Sequence, residues 1–191
     1  MIVMLAAVAF AASAQKKYYI TPHVGVGYAH MFNMPYGLND GLTVMGGGEF
    51  EYMLGEKLGL SGGLDVQFIR TDEVQEIAPV QSDWRHFSFI YFNVPILAQY
   101  HFGRFAVKAG LQPSFNLFSK YYEGSNSNSV RDAMHTVSLS LPVGVSYQFK
   151  KVPVVLDMRC SVPLTKQNNG SWGNDGNTRT LSVMLSAGYR F

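Results

Sequence analysis

The sequence predicts an all-β protein, an eight-stranded antiparallel up-and-down transmembrane β-barrel. Three observations lead there. Apolar and polar residues alternate with period two through segment after segment, minimal turns alternate with long polar loops, and the aromatic residues of the apolar face fall into two bands. The clearest segment is the last, where Leu181, Val183, Leu185, Ala187, Tyr189 and Phe191 oppose Ser182, Met184, Ser186, Gly188 and Arg190. Successive side chains of a strand point to opposite sides, so one side suits hydrocarbon and the other a crowded polar interior.

Residues 1 to 14 form an apolar run ending in Ala12-Ser13-Ala14, the small-x-small pattern that precedes signal-peptidase cleavage. A signal peptide over 1–14 and a barrel domain over 15–191 are therefore expected, although the run has no basic n-region. The run is shorter than the roughly 20 apolar residues of a spanning helix, and no later stretch is long enough either, so any crossing must use strands. Cys160 is the single cysteine, which excludes an intramolecular disulfide and a cysteine-based metal site. With 191 residues, 14% aromatic, 15% charged and a net charge of +2, the chain has the size of one compact domain. Its Lys and Arg are scattered, so nucleic acid is not an expected partner.

The eight segments lie near 18–30, 42–54, 57–69, 88–102, 104–117, 135–149, 152–164 and 179–191. In the second, Leu42, Val44, Phe50, Tyr52 and Leu54 oppose Thr43, Met45, Glu49, Glu51 and Met53. In the third, Leu58, Leu60, Leu64, Val66 and Phe68 oppose Ser61, Asp65 and Gln67. The fifth sets Phe105, Val107, Ala109, Leu111 and Phe115 against Lys108, Gln112, Ser114 and Asn116, and the sixth sets a Val/Leu face against serines. The fourth breaks the rule: Phe87, Phe89 and Tyr91 lie out of phase with Ile90, Phe92, Val94 and Ile96, which calls for a bulge or a strand rising above the bilayer.

The connections at one end are Gly55-Glu56-Lys57, Gly103-Arg104 and Lys150-Lys151, while polar loops near 31–41, 70–87, 118–134 and 165–178 occupy the other. Within them, Glu123–Ser129 and Gln167–Gly176 read as solvated and mobile. Outer-membrane barrels have short periplasmic turns and longer external loops, which predicts a cell outer membrane location with both termini periplasmic. A soluble lipocalin-like barrel would also have eight up-and-down strands but would turn its apolar face inward. Aromatic placement separates the two. Tyr18, Phe50, Tyr52, Tyr100, Phe102, Phe105, Tyr147, Phe149, Tyr189 and Phe191 gather at the turn end, and Tyr28, Phe32, Phe68, Phe115 and Phe118 at the loop end, around an aliphatic middle. Two belts match the two interfaces of a bilayer.

The polar face then places Glu49, Glu51, Asp65, Lys108, Asp157, Arg159 and Arg190 inside a barrel too narrow for an open channel. Unpaired charges there are costly, so these residues are expected to form a carboxylate and Lys/Arg network that plugs the lumen. His23 and His101 should face the same lumen near the turn end as hydrogen-bonded fillers, since no ligand-spaced cluster accompanies them. His30, His86 and His135 lie near the loop end, with Ser138 three residues after His135, where a lipid-modifying enzyme or hydrolase would keep its catalytic groups. Met45-Gly-Gly-Gly-Glu49 belongs to a strand and not to a phosphate-binding loop, because no helix follows it.

Phe92-Asn-Val-Pro-Ile-Leu-Ala-Gln-Tyr-His-Phe-Gly103, Ala109-Gly110 and the terminal Tyr189-Arg190-Phe191 carry a resemblance over residues 15–191. The chain resembles the PorT-like outer-membrane β-barrels, porin-like small barrels best known from Bacteroidetes. Asn93 stands where that family often has an acid, and Cys160-Ser-Val-Pro-Leu164 replaces a more usual Tyr-x-x-Gly-Leu. The resemblance implies a scaffold without catalytic, cofactor-binding or metal residues, some of whose members are linked to protein secretion. It also implies that Tyr189 and Phe191 form the aromatic signal read by the barrel assembly machinery. The expectation is a small non-enzymatic barrel presenting four external loops, with outer-membrane lipid and secretion or envelope proteins as partners. An enzyme and a minor pore for small solutes are the alternatives.

Overall fold

The computed structural model describes residues 17–33, 40–72, 85–123, 126–168 and 177–191. Ten strands follow one another: β1 Tyr18–Phe32, β2 Asp40–Met53, β3 Leu58–Asp72, β4 Arg85–Asn93, β5 Ile96–Phe102, β6 Phe105–Glu123, β7 Asn126–Ser129, β8 Val137–Gln148, β9 Val154–Pro163 and β10 Arg179–Tyr189. Every pairing is antiparallel, and β1 closes the ring on β10 from His23↔Gly188 to Phe32↔Arg179. Closure leaves no barrel strand with an unpaired edge.

β4 and β5 are one crossing. Asn93 pairs with Asp65 and Ile96 with Gly62 in unbroken register, and the same holds against Ser114 and Leu111 of β6. The ladder lapses only at Val94–Pro95, because proline has no N–H to donate. The Pro95 carbonyl still accepts from Gly63 N at 2.8 Å, and Val94 N donates to Pro113 O at 2.9 Å. β7 is a short ribbon against the end of β6, from Lys120↔Ser129 to Glu123↔Asn126. The closed barrel thus has eight crossings, as the alternation predicts.

The apolar face is the outer one. Leu42 is 75% exposed and Val24 70%, whereas inward-pointing Asp65 is 1% exposed and Glu49 and Arg159 are also buried. A lipocalin-like barrel would show the reverse. Both aromatic bands lie on this outer face, and rings of the turn-end band touch in series: Phe102–Phe105 at 5.9 Å, Phe105–Tyr147 at 5.0 Å and Tyr147–Phe149 at 5.1 Å between centroids.

Two parts of the sequence reading need correction or completion. The segment expected as a long loop over 118–134 is largely ordered: β6 continues to Glu123 against β4, β7 folds back upon it, and a 3-10 turn covers Arg131–Ala133. Backbone pairing between extended strands satisfies this polar stretch without an apolar face. The phase break at Phe87–Tyr91 coincides with a bulge in the facing strand. Ile90 pairs with Phe118 but Tyr91 with Asn116, so Leu117 is the extra residue and the inward positions of β6 switch from Asn116 to Ser119. Phe87, Phe89 and Tyr91 point inward, where they pack with Ala29, Met31, Ile69 and Met134 in a buried apolar cluster. The interior is therefore charged toward the turns and apolar on one side toward the loops. The expected signal peptide and most of Gln167–Gly176 fall outside the described residues.

Candidate functional site: the charged lumen

Each member of the lumen occupies an inward position fixed by strand periodicity. Glu49 and Glu51 are two apart on β2, Asp157 and Arg159 two apart on β9, Asp65 lies on β3, Lys108 on β6, and Arg190 follows β10. Lys108 Nζ lies 2.7 Å from Asp157 Oδ2 and 3.3 Å from Glu49 Oε1. Arg159 spreads over three carboxylates, at 3.1 Å from Glu49 Oε2 and 3.5 Å from both Asp65 Oδ2 and Asp157 Oδ1. Gln99 on β5 donates to Glu49 Oε1 and to Ser61 Oγ, both at 2.7 Å. Closer to the turns, Arg190 Nη2 donates to Glu51 Oε2 at 2.7 Å, its Nη1 donates to Gln148 Oε1 at 3.1 Å, and its guanidinium lies over the Tyr19 ring.

The histidines add contacts that spacing did not reveal. His101 Nε2 is 2.5 Å from Glu51 Oε1, and His23 Nε2 is 3.0 Å from Asp65 Oδ1. Both thus face the lumen as hydrogen-bonding groups, as expected, and each meets a buried carboxylate there. Neither acid lies on a neighbouring strand, since His23 on β1 reaches Asp65 on β3 and His101 on β5 reaches Glu51 on β2, so no spacing could reveal the pairs.

Space for these groups comes from glycine. A Cβ at Gly47 would collide with Asp65 Oδ1 and the Leu64 carbonyl, and one at Gly144, which lies in register between Lys108 and Arg159, would meet the Met158 carbonyl. Gly63 similarly leaves room for the Pro95 ring. Above the charges runs a neutral chain: Asn93 Nδ2 donates to Gln67 Oε1 at 2.9 Å, Gln67 Nε2 to Thr43 Oγ1 at 3.0 Å, and Thr43 Oγ1 to Phe68 O at 2.9 Å. An acid at position 93 could not make the first of these donations, which gives Asn93 its physical reason.

One cavity of about 30 Å³ sits among His23, Glu49, Glu51, Lys108 and Arg159, and another of about 30 Å³ among Gln67, Tyr91, Asn93 and Gln112. Each has room for a water molecule or two.

The loop-end histidines do not converge. His30 on β1 contacts Asp40 Oδ1 at 2.5 Å, and His86 on β4 stacks on Tyr122 with centroids 4.5 Å apart. His135, before β8, is exposed, while Ser138 is buried facing the lumen. The strands bearing these histidines are not neighbours in the ring. Among the described residues no group of His, Cys, Asp and Glu is arranged to hold a metal. Tyr189 and Phe191 lie together on the outer face, with ring centroids 4.7 Å apart.

The sequence matches, over residues 1–191, the family described as outer membrane protein beta-barrel domain. The chain belongs to that family. As an outer membrane protein β-barrel, it is similar in fold to the crystal structure of Ail, the attachment invasion locus protein of Yersinia pestis. That match has a TM-score of 0.53 at 17% identity and covers 92% of this chain and 99% of that one. Neisserial surface protein A matches with a TM-score of 0.49 at 17% identity over 92% and 98% of the two chains. OprG from Pseudomonas aeruginosa matches with 0.46 at 14% identity over 92% and 96%. At such identities the likeness is one of fold. No curated protein matches the sequence. Membership of the family places this outer membrane protein β-barrel in the outer membrane, with its apolar face in lipid.

Proposed function

We propose that the protein is a closed, non-enzymatic outer-membrane barrel of the PorT-like kind. In this reading its four loops lie outside the cell, its termini lie in the periplasm, and it acts through the loops on partners in envelope organisation, surface interaction or protein secretion. The observation that carries the proposal is the cross-linked lumen. Arg159, Glu49, Lys108, Asp157 and Asp65 tie opposite walls together, and the cavities beside them admit a water or two and no solute stream. That speaks against the minor pore. The scattered loop-end histidines, each contacting a different neighbour or exposed alone, speak against the enzyme.

Affinity purification from native envelopes in mild detergent tests the role. The wild-type protein is expected to bring down a defined neighbour, and replacing residues 165–178 by a short Gly/Ser link should lose it. Recovery of the barrel alone from both preparations overturns the proposal. Orientation is tested on intact cells in a Cys160→Ser background, where Ser171→Cys should react with an impermeant maleimide and Lys150→Cys should not.

A further inference from the structure

We propose that the turn end of the barrel is a docking ring for anionic glycerophospholipids, built to hold the phosphates of their headgroups. Among the described residues this rim exposes Lys17, Lys57, Arg104, Lys150 and Lys151 against a single exposed acidic side chain, Glu56. The cations stand at separate corners: Lys17 before β1, Lys57 between β2 and β3, Arg104 between β5 and β6, and the lysine pair between β8 and β9. They therefore surround the barrel and do not form one patch. None of the four lysines pairs with a carboxylate of the described residues, so their charge is left for something outside the protein.

Depth supplies the second argument. Immediately inside the cations lie the exposed rings of Tyr52, Phe102, Phe105, Phe149 and Tyr189. Such a belt marks the headgroup boundary, where amphipathic rings prefer to sit. Arg104 Nη1 donates to Tyr147 Oη at 3.4 Å, which holds one guanidinium at the level of that belt. A phosphodiester at this depth is singly charged and accepts hydrogen bonds from ammonium and guanidinium groups. The loop end carries no such bias, since Arg70, Arg131, Lys166 and Arg179 share it with Asp40 and Asp132, and the loop sequence adds Asp72, Glu73, Glu76, Asp83, Glu123 and Asp175 against Arg85 and Lys120. The choice of glycerophospholipid over lipid A phosphate rests on the proposed orientation, in which the turn end meets the inner leaflet.

The test uses the folded full-length protein in phosphatidylcholine vesicles containing spin-labelled phosphatidylglycerol or spin-labelled phosphatidylcholine, with the motionally restricted fraction read by electron paramagnetic resonance. Each cation near an anionic surface contributes up to about fivefold at low salt, so several-fold enrichment of phosphatidylglycerol is expected, collapsing at about 1 M salt. Lys57→Glu/Lys150→Glu/Lys151→Glu should abolish the enrichment, whereas Arg131→Glu/Lys166→Glu should keep it. If the triple variant does not fold, the salt dependence of the wild type decides alone. Absence of enrichment, enrichment indifferent to salt, or loss in the loop-end variant overturns the proposal. Displacement of phosphatidylglycerol by added lipid A, abolished by the turn-end substitutions, overturns the choice of lipid. Because vesicles report headgroup preference whichever way the barrel inserts, this result is separable from the maleimide test of orientation.

Discussion

Asp65 and Arg159 stand on β3 and β9, opposite each other in the ring of crossings, yet their side chains meet, with Arg159 Nη1 3.5 Å from Asp65 Oδ2. A charge pair that spans the lumen holds the two walls in one geometry. Arg159 also serves Glu49 and Asp157, so its loss leaves buried carboxylates short of a partner. Arg159→Leu is expected to destabilise the barrel by about 3–5 kcal/mol, the range for breaking a buried pair from one side. Urea unfolding in detergent measures it, and a loss under about 1 kcal/mol would mean that solvent or lumen rearrangement replaces the pair.

Lys108 and Asp157 form the shortest ion pair of the central group, at 2.7 Å. Asp157→Leu alone should lower the temperature at which the folded, fast-migrating gel band disappears. Adding Lys108→Met should recover part of that loss, because removing both charges costs less than orphaning one. Strict additivity of the two single effects would show that they do not interact.

Leu185 is 55% exposed, and on a water-soluble surface a charge there would be harmless. On a lipid-facing strand Leu185→Arg should cost about 2–4 kcal/mol near the bilayer midplane. Refolding into phosphatidylcholine vesicles followed by urea titration gives the number. A cost near zero would contradict the outward-apolar arrangement on which the whole fold rests.

Phe89 is fully buried, with ring centroids 5.8 Å from Phe87 and 6.2 Å from Tyr91. Phe89→Ala opens a cavity in that cluster and should cost about 3–5 kcal/mol. Phe92→Ala, on the outer side of the same strand, should cost less, since lipid chains refill the space. Equal losses would place the cluster outside the barrel interior.

Gly47 faces Asp65 and the Leu64 carbonyl with no room for a Cβ. Gly47→Val should displace Asp65 from His23 and Arg159 and lower the unfolding midpoint by more than Gly48→Val, whose added Cβ meets nothing. The same gel-shift assay compares them, and a larger effect at Gly48 would overturn the inward assignment of Gly47.

What the sequence made legible follows from how uniform each face is. Leu42, Val44, Phe50 and Tyr52 all meet lipid and Thr43, Met45, Glu49 and Glu51 all meet the lumen, so period two survives and the crossings can be read. At Phe87–Phe92 both faces are apolar and a bulge shifts the facing strand, so periodicity carries no direction and the inner cluster stays hidden. Membership of the charge cluster was legible because any inward Asp, Glu, Lys or Arg must share the lumen. Partners were not. Glu49 bonds to Lys108, Arg159 and Gln99 on strands that are not its neighbours, an outcome of barrel stagger and side-chain reach that no spacing encodes. The ribbon of β7 escaped notice because Asn and Ser pair through backbone alone.

The strand that is greasy on both sides has a consequence before the barrel exists. Until its neighbours close around it, Phe87–Phe92 is a six-residue stretch with four aromatics and no charge, the kind of segment that self-associates in water. A holdase escorting the nascent chain to the membrane has its best grip here, and dilute, unescorted polypeptide should clump first at this point.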